Sequence, residues 1–456
     1  MRQAGTLLSI WCGFSKAYWA HFPGICGANE LDTSGYTKIR RAKGVHDTMC
    51  NGLQEHDRMK RLDHVDTMKA IGIVLVVLGH SPGLSAFAKN VIYSFHMPLF
   101  FFVSGLLLSE QKLSLTFRQN LAVLWRGLGI PYLFFFLLSY LYWLPTHERA
   151  ASAAKYAGIG WWEPLIGVFV GNGDALFVNV VLWFFTCLLT TSLIFFAVRR
   201  HFSAAFLFVA FNLSGLVFTL VYDPSWPRLP WGLDNAVVAL AFYSTGHFFR
   251  GYQDAVLEKL PKSTATMFAL FMMAGVAYAA GINGAVDLNT LLFGSHRYLF
   301  LINAYLGVVA LFCFSISLPA HAVFQWLSKN TIIIFPLHLL MFSVFTGIAV
   351  VGFGMPHAFK ESSFLWTGAF ALLALCLSYP SAWILHRFFP MVFGKRSAGI
   401  DSEKTGRLAS GLRLPGSIKL KNPVEPQRHS DHRGKTKRCN ARPGHPRVRA
   451  GRPTRY

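Results

Sequence analysis

Lys69-Ala-Ile-Gly-Ile-Val-Leu-Val-Val-Leu-Gly79-His80, followed shortly by Phe95-His96-Met-Pro-Leu-Phe-Phe-Phe-Val-Ser104-Gly105, contains almost nothing that prefers water. Runs of this kind recur from Thr67 to Phe389, each near the roughly 20 residues that cross a bilayer as a helix. The predicted spans are 67–84, 91–109, 124–144, 176–198, 203–221, 233–249, 265–282, 298–318, 330–352 and 364–388. The expected fold is therefore all-α, a polytopic membrane bundle of about ten transmembrane helices. The stretch 156–171, with Tyr156, Trp161, Trp162, Glu163 and Pro164, is apolar but short and broken by proline. It reads as interfacial or re-entrant.

Composition agrees. Of 456 residues 53% are hydrophobic and only 14% charged, with mean hydropathy +0.40, against about a quarter charged in a soluble domain. The formal net charge of +22 suggests nucleic acid at first sight, but 17 Lys/Arg against 4 Asp/Glu fall between Lys395 and Tyr456, so +13 of it sits in one Pro/Gly/Arg-rich tail. Such a tail cannot bury enough apolar surface to fold alone. It reads as a disordered basic cytoplasmic extension over 394–456, able to meet anionic lipid headgroups, with no nucleic-acid partner. Residues 1–57 read as a poorly structured N-terminal extension, and the membrane domain as 58–393. The seven cysteines are scattered without CxxC or a cluster with His, so neither a disulfide framework nor a metal site is expected.

Orientation follows from Lys and Arg beside the spans, which are retained on the cytoplasmic side. With the N-terminus inside, Lys112, Arg118, Arg199, Arg200, Arg250, Lys259, Lys262, Lys329, Lys395 and Arg396 all face the cytoplasm. An even number of spans returns the C-terminus to the same side. The expected location is a bacterial inner membrane, with both termini cytoplasmic.

Ionisable groups inside spans cost several kcal/mol in a lipid-facing position, so those that persist are functional candidates. Lys69 and His80 are eleven positions apart, about three turns, which places them on one helix face about 16 Å apart along the axis. That face suits a long ligand with its anionic end at Lys69 and its reacting end at His80. Taken alone, Lys69 equally suits an interfacial lysine snorkelling to water. His80 equally suits a packing histidine, although imidazole is also the usual general base near neutral pH. His96 and His338 divide the same way between core packing and site. The Ser104-Gly105 pair permits close helix approach. Asp66 serves either to orient a basic residue or as an ordinary helix N-terminal acid. Trp161, Trp162, Trp226 and Trp231 could stack on sugar rings, but an interfacial aromatic belt accounts for them.

Asp66-x-x-Lys69, the apolar helix ending Val-Val-Leu-Gly79-His80, and Phe95-His-Met-Pro-Leu-Phe-Phe-Phe-Val-Ser104-Gly105 together resemble the start of the acyltransferase 3 membrane proteins, best the fucose 4-O-acetylase-like branch. Arg126 with Ile130-Pro131-Tyr132, Asn179-Val-Val-Leu-Trp183-Phe184-Phe185, Phe242-Tyr243-Ser-Thr-Gly246 before Arg250, and Leu327-Ser-Lys329-Asn330 running to His338 continue the likeness in order, so that it covers roughly Arg58 to Phe393. The chain departs from the family pattern at Lys69, where an arginine is common, and keeps only Arg126 of an arginine pair. The resemblance implies transfer of an acetyl group from acetyl-CoA, the donor cosubstrate, to a sugar hydroxyl of a surface polysaccharide, lipopolysaccharide or polyprenyl-linked oligosaccharide. His80 and His96 would be the catalytic histidines, Lys69 and Arg126 the donor-binding cations, and Asp66, Ser104 and His338 supporting residues. Two alternatives stay open: a transporter or flippase for a lipid-linked saccharide, and transfer of another acyl group such as succinyl.

Overall fold

The computed structural model describes residues 63–148 and 158–393. The two terminal extensions and Arg396 lie outside them, as do Tyr156 and Lys395. Among the described residues the structure is helical, its one β-bridge joining Asp287 and Leu292. In chain order the helices are α1 (63–80), α2 (Ala86–Tyr93), α3 (His96–Leu106), α4 (Glu110–Leu113), α5 (Phe117–Thr146) and α6 (Glu163–Val170). Then come α7 (Trp183–Arg199), α8 (Ala204–Val221), α9 (Leu233–Phe249), α10 (Gln253–Lys259) and α11 (Lys262–Asn283). α12 (Arg297–Ser317), α13 (Ala322–Lys329), α14 (Thr331–Gly347) and α15 (Phe364–Phe388) complete the bundle. Among the described residues eight stretches are long and apolar enough to cross a membrane, and α1 and α9 occupy the two remaining predicted spans.

Local chemistry sets the breaks. The first span ends four residues earlier than predicted because Ser81-Pro82-Gly83 turns the chain, with Gly83 at φ +74° where a side chain would be strained. Ser85 then caps α2, its hydroxyl accepting from the Ala88 amide. α2 and α3 form one kinked crossing, Ala86–Leu106, broken at Ser94 and Phe95. α5 begins seven residues earlier than predicted, because Thr116 and Gln119 close a capping box. Its π turn at Trp125–Gly129 precedes Pro131, which cannot donate to the preceding turn; the Ile130 amide bonds Trp125 instead.

Contacts sort the connections into two ends. At one end, Lys69 meets Ser328, Arg200 meets Leu115, Arg250 meets Leu106 and Ser317 meets Lys262. At the other, Thr367 meets Pro82, Arg297 meets Tyr222, and Arg228 meets Asn289. The first is the basic end that the loop charges predicted. α6 lies beside α5 and stops short of crossing: the Tyr140 hydroxyl donates to the Trp161 carbonyl and, two turns deeper, Tyr132 donates to Val168. Gly171 in the left-handed conformation turns the chain back, its carbonyl accepting from Thr186. This is a re-entrant path.

α3 and α7 form the centre. Every α3 residue but Ser104 is buried. α3 crosses α9 through reciprocal glycines: a Cβ on Gly105 would lie 1.9 Å from the Tyr243 carbonyl oxygen, and one on Gly246 the same distance from that of Phe102. The Ser104-Gly105 pair thus does permit close approach, through its glycine. Leu133, Leu137, Leu141 and Leu144 form an exposed stripe on α5 at helical spacing, about 100° round the helix from its buried Tyr132, Phe136, Tyr140 and Trp143.

Candidate functional site: a histidine cluster and the cavity below it

α1 runs from the basic end and α14 runs beside it in the same direction. Near their start, the Lys69 ammonium donates to the Ser328 carbonyl at 2.9 Å, and the Ser328 hydroxyl donates to Asp66 at 2.5 Å. Eleven residues further along α1 stands His80; ten beyond Ser328 on the other strand of the pair stands His338. The first step is about 16 Å of helix and the second passes from α13 into α14 at Asn330, so one floor of charge and one floor of imidazole are stacked along the same two segments.

On the upper floor three histidines converge. The His80 ring lies 5.1 Å from that of His338 and 6.4 Å from that of His96, centre to centre. Tyr93 completes the group, 5.6 Å from His80 and 4.8 Å from His96, with the Lys89 ammonium over its other side at 5.1 Å. His96 and His338 are fully buried, whereas His80, the last residue of α1, is partly open. Among the described residues no group of His, Cys, Asp or Glu side chains lies close enough to share a metal ion.

The three rings are held alike. Nδ1 of His80 is 2.9 Å from the Val76 carbonyl, Nδ1 of His96 is 2.9 Å from Ile92, and Nδ1 of His338 is 3.4 Å from Ile334, each one turn back along the chain. A carbonyl only accepts, so Nδ1 carries the proton and Nε2 presents a lone pair. For His338 that lone pair is buried without a partner. An unmet buried acceptor costs about 1–3 kcal/mol, and a substrate hydroxyl arriving at the cluster would satisfy it.

The far end is closed by a polar knot on loops. The Arg228 Nε bonds Asp234 at 2.5 Å, its Nη2 reaches Asn235 and the Asn289 carbonyl, and Asp174 lies 3.6 Å away. In the adjoining loop, burial pushes the Asp287 carboxyl up, while the Asn289 amide and the charge of Lys89 pull it down.

At the basic end lies a cavity of about 220 Å³ bounded by α3, α4, α5, α7 and α9, with Ser104 on its wall. Asn120, Val123, Leu124 and Leu128 of α5 face it. Arg126, two positions from either leucine, therefore leaves the opposite side of the helix and is exposed.

The structure thus brings His80, His96 and His338 together and ties Asp66 to Lys69 through Ser328. It does not bring Arg126 to Lys69. Two residues of the site had been passed over. Tyr93 stands two residues before the quoted second motif and Ser328 in the last one, but neither residue type marks itself as functional without its neighbours in view.

A family model described as an acyltransferase domain matches residues 62–384, from the first described turn of α1 into α15. No curated protein matches the chain.

Proposed function

The chain belongs to the acyltransferase 3 family and is a multi-pass membrane acyltransferase that uses an acyl donor; on that basis we propose that it is an O-acetyltransferase moving an acetyl group from acetyl-CoA to a sugar hydroxyl of a cell-surface saccharide. The observation that carries the reading is the histidine cluster, with Nδ1 of each ring anchored and each Nε2 left as a base.

In the proposed reaction the acceptor hydroxyl reaches His80, the most open of the three. Its oxygen attacks the thioester carbonyl carbon as Nε2 of His80 takes the hydroxyl proton. The C–S bond breaks, coenzyme A leaves as thiolate, and the imidazolium returns the proton to the thiolate or to water. His96 and His338 support the imidazolium by presenting lone pairs toward it, and Tyr93 fixes the space between. Fixed positive charge at Lys69 lies below, on the donor's side of the cluster, where low dielectric strengthens attraction for an anion. The basic end faces the cytoplasm in this reading, where the donor is made.

The test uses purified protein in liposomes with labelled acetyl-CoA and surface polysaccharide. Label should pass to the glycan, and His80→Ala should abolish transfer while leaving the thermal midpoint in place. Movement of an unmodified lipid-linked saccharide without any transfer would sink the reading and favour a flippase. Label transferred from succinyl-CoA but not from acetyl-CoA would change the donor.

A further inference from the structure

The cavity at the basic end is separate from the histidine cluster, and nothing in the proposed chemistry so far uses it. Its rim is cationic. Lys112 lines it directly. The Arg200 guanidinium lies 4.4 Å above the ring of Phe196, a wall residue, and bonds the Leu115 carbonyl. Arg250 donates to the carbonyl of Leu106, next in sequence to the wall residue Leu107, at 3.3 Å. Both guanidinium groups are anchored to backbone and keep donors to spare, so the positive charge is placed in advance of any ligand. Glu110 is the acid on the same connection, and it is exposed.

The interior is mixed. Ser104, Ser192 and Tyr243 offer hydroxyls among leucine and phenylalanine side chains, which suits a thin arm carrying amides. Beyond it stands an aromatic partition. Phe100, one turn from Ser104 toward His96, lies 6.0 Å from Phe184, which lies 5.2 Å from Phe335. Phe335 is 6.2 Å from His338. From Ser104 to His96 is eight residues of α3, about 12 Å.

We infer that this cavity is the donor site: the phosphates of an acyl-CoA sit on Lys112, Arg200 and Arg250, the arm enters past Ser104, and the acyl end is directed along α3 past Phe100 toward the histidines, where the proposed transfer takes place. The inference rests on the proposed function for the donor's chemistry, and it moves the phosphates away from Lys69 and Arg126 to residues on other helices.

Titration calorimetry with coenzyme A itself, on the full chain in nanodiscs of zwitterionic lipid, tests it. Lys112→Gln with Arg200→Gln should weaken binding by about tenfold or more and flatten its salt dependence. Pantetheine, which lacks the phosphates, should bind wild type and double variant equally. Ser192→Trp should close the cavity; should that variant fail to fold, the exposed rim variants still decide the matter. Coenzyme A binding unchanged in the double variant overturns the assignment. So does displacement of coenzyme A from the wild type by phosphatidylglycerol, which would give the rim to lipid headgroups. The two readings fail separately. Binding that obeys these rules without transfer to any glycan leaves the cavity assigned and refutes the acetyltransferase; transfer with an unaltered donor KM in the double variant refutes the cavity alone.

Discussion

α7 and α8 follow one another in the chain and have the same mean hydropathy, yet 72% of the apolar stretch ending in α7 is buried inside the protein and only 17% of α8 is. Lipid tails are as apolar as leucine, so total hydrophobicity does not decide which helix goes to the centre. What differs is the small and polar content. α7 carries Thr186, Cys187, Thr190, Thr191 and Ser192 in one run, and two of these threonines tie down neighbouring connections, Thr186 the turn at Gly171 and Thr190 that at Trp231. α8 turns Phe206, Val209, Leu213 and Val217 outward and keeps one inward line, Leu207, Gly215 and Thr219, with Asn212 bonded to Thr245 beside it.

That contrast orders what substitutions should do. The largest effect is expected at the central glycine crossing. Gly246→Val places carbon on the Phe102 carbonyl with backbone on both sides, a loss above about 4 kcal/mol, seen as failure to recover folded protein by size exclusion. Next is His338→Ala, which keeps the fold but removes one of the three bases; acetyl transfer should fall about a hundredfold at an unchanged thermal midpoint. If the midpoint collapses with the activity, His338 belongs to packing. Thr186→Val should cost only about 1 kcal/mol by thermal unfolding, since hydrogen bonds between membrane helices are weak on average. Smallest is Leu213→Ala on the lipid face of α8, expected within about 0.5 kcal/mol of wild type. A large loss there would mean that α8 has a protein partner.

Much of the fold was legible. α9 and α15 begin and end where the hydropathy predicted. α1 did not, because Pro82 and Gly83 outweigh the apolar residues around them. The site was legible only in part. His80 and His96 stand in recognisable surroundings, and the three-turn spacing to Lys69 put charge and imidazole on one face. His338, by contrast, is an ordinary position eight residues into a span until α14 is laid against α1. The cavity left little trace in the sequence, because its wall is drawn from five helices and, Ser104, Lys112 and Asn120 apart, most of its lining looks like membrane filler. Arg126 shows the complementary limit: its charge was visible in the sequence and the direction in which it leaves α5 was not.

The anchoring of each imidazole to the preceding turn of its own chain has one further consequence. The rings of His80 and His338 are fixed to their own helices as a pointer is fixed to a shaft, and that of His96 to the last turn of α2 across the kink, so the bearing of each ring is set by how those helices are rotated. A single residue inserted between Lys69 and His80 would swing His80 by about 100° and turn its ring away from His338, with every side chain of the cluster still present. In the proposed reaction, proton transfer would then depend on helix register as well as on the groups themselves.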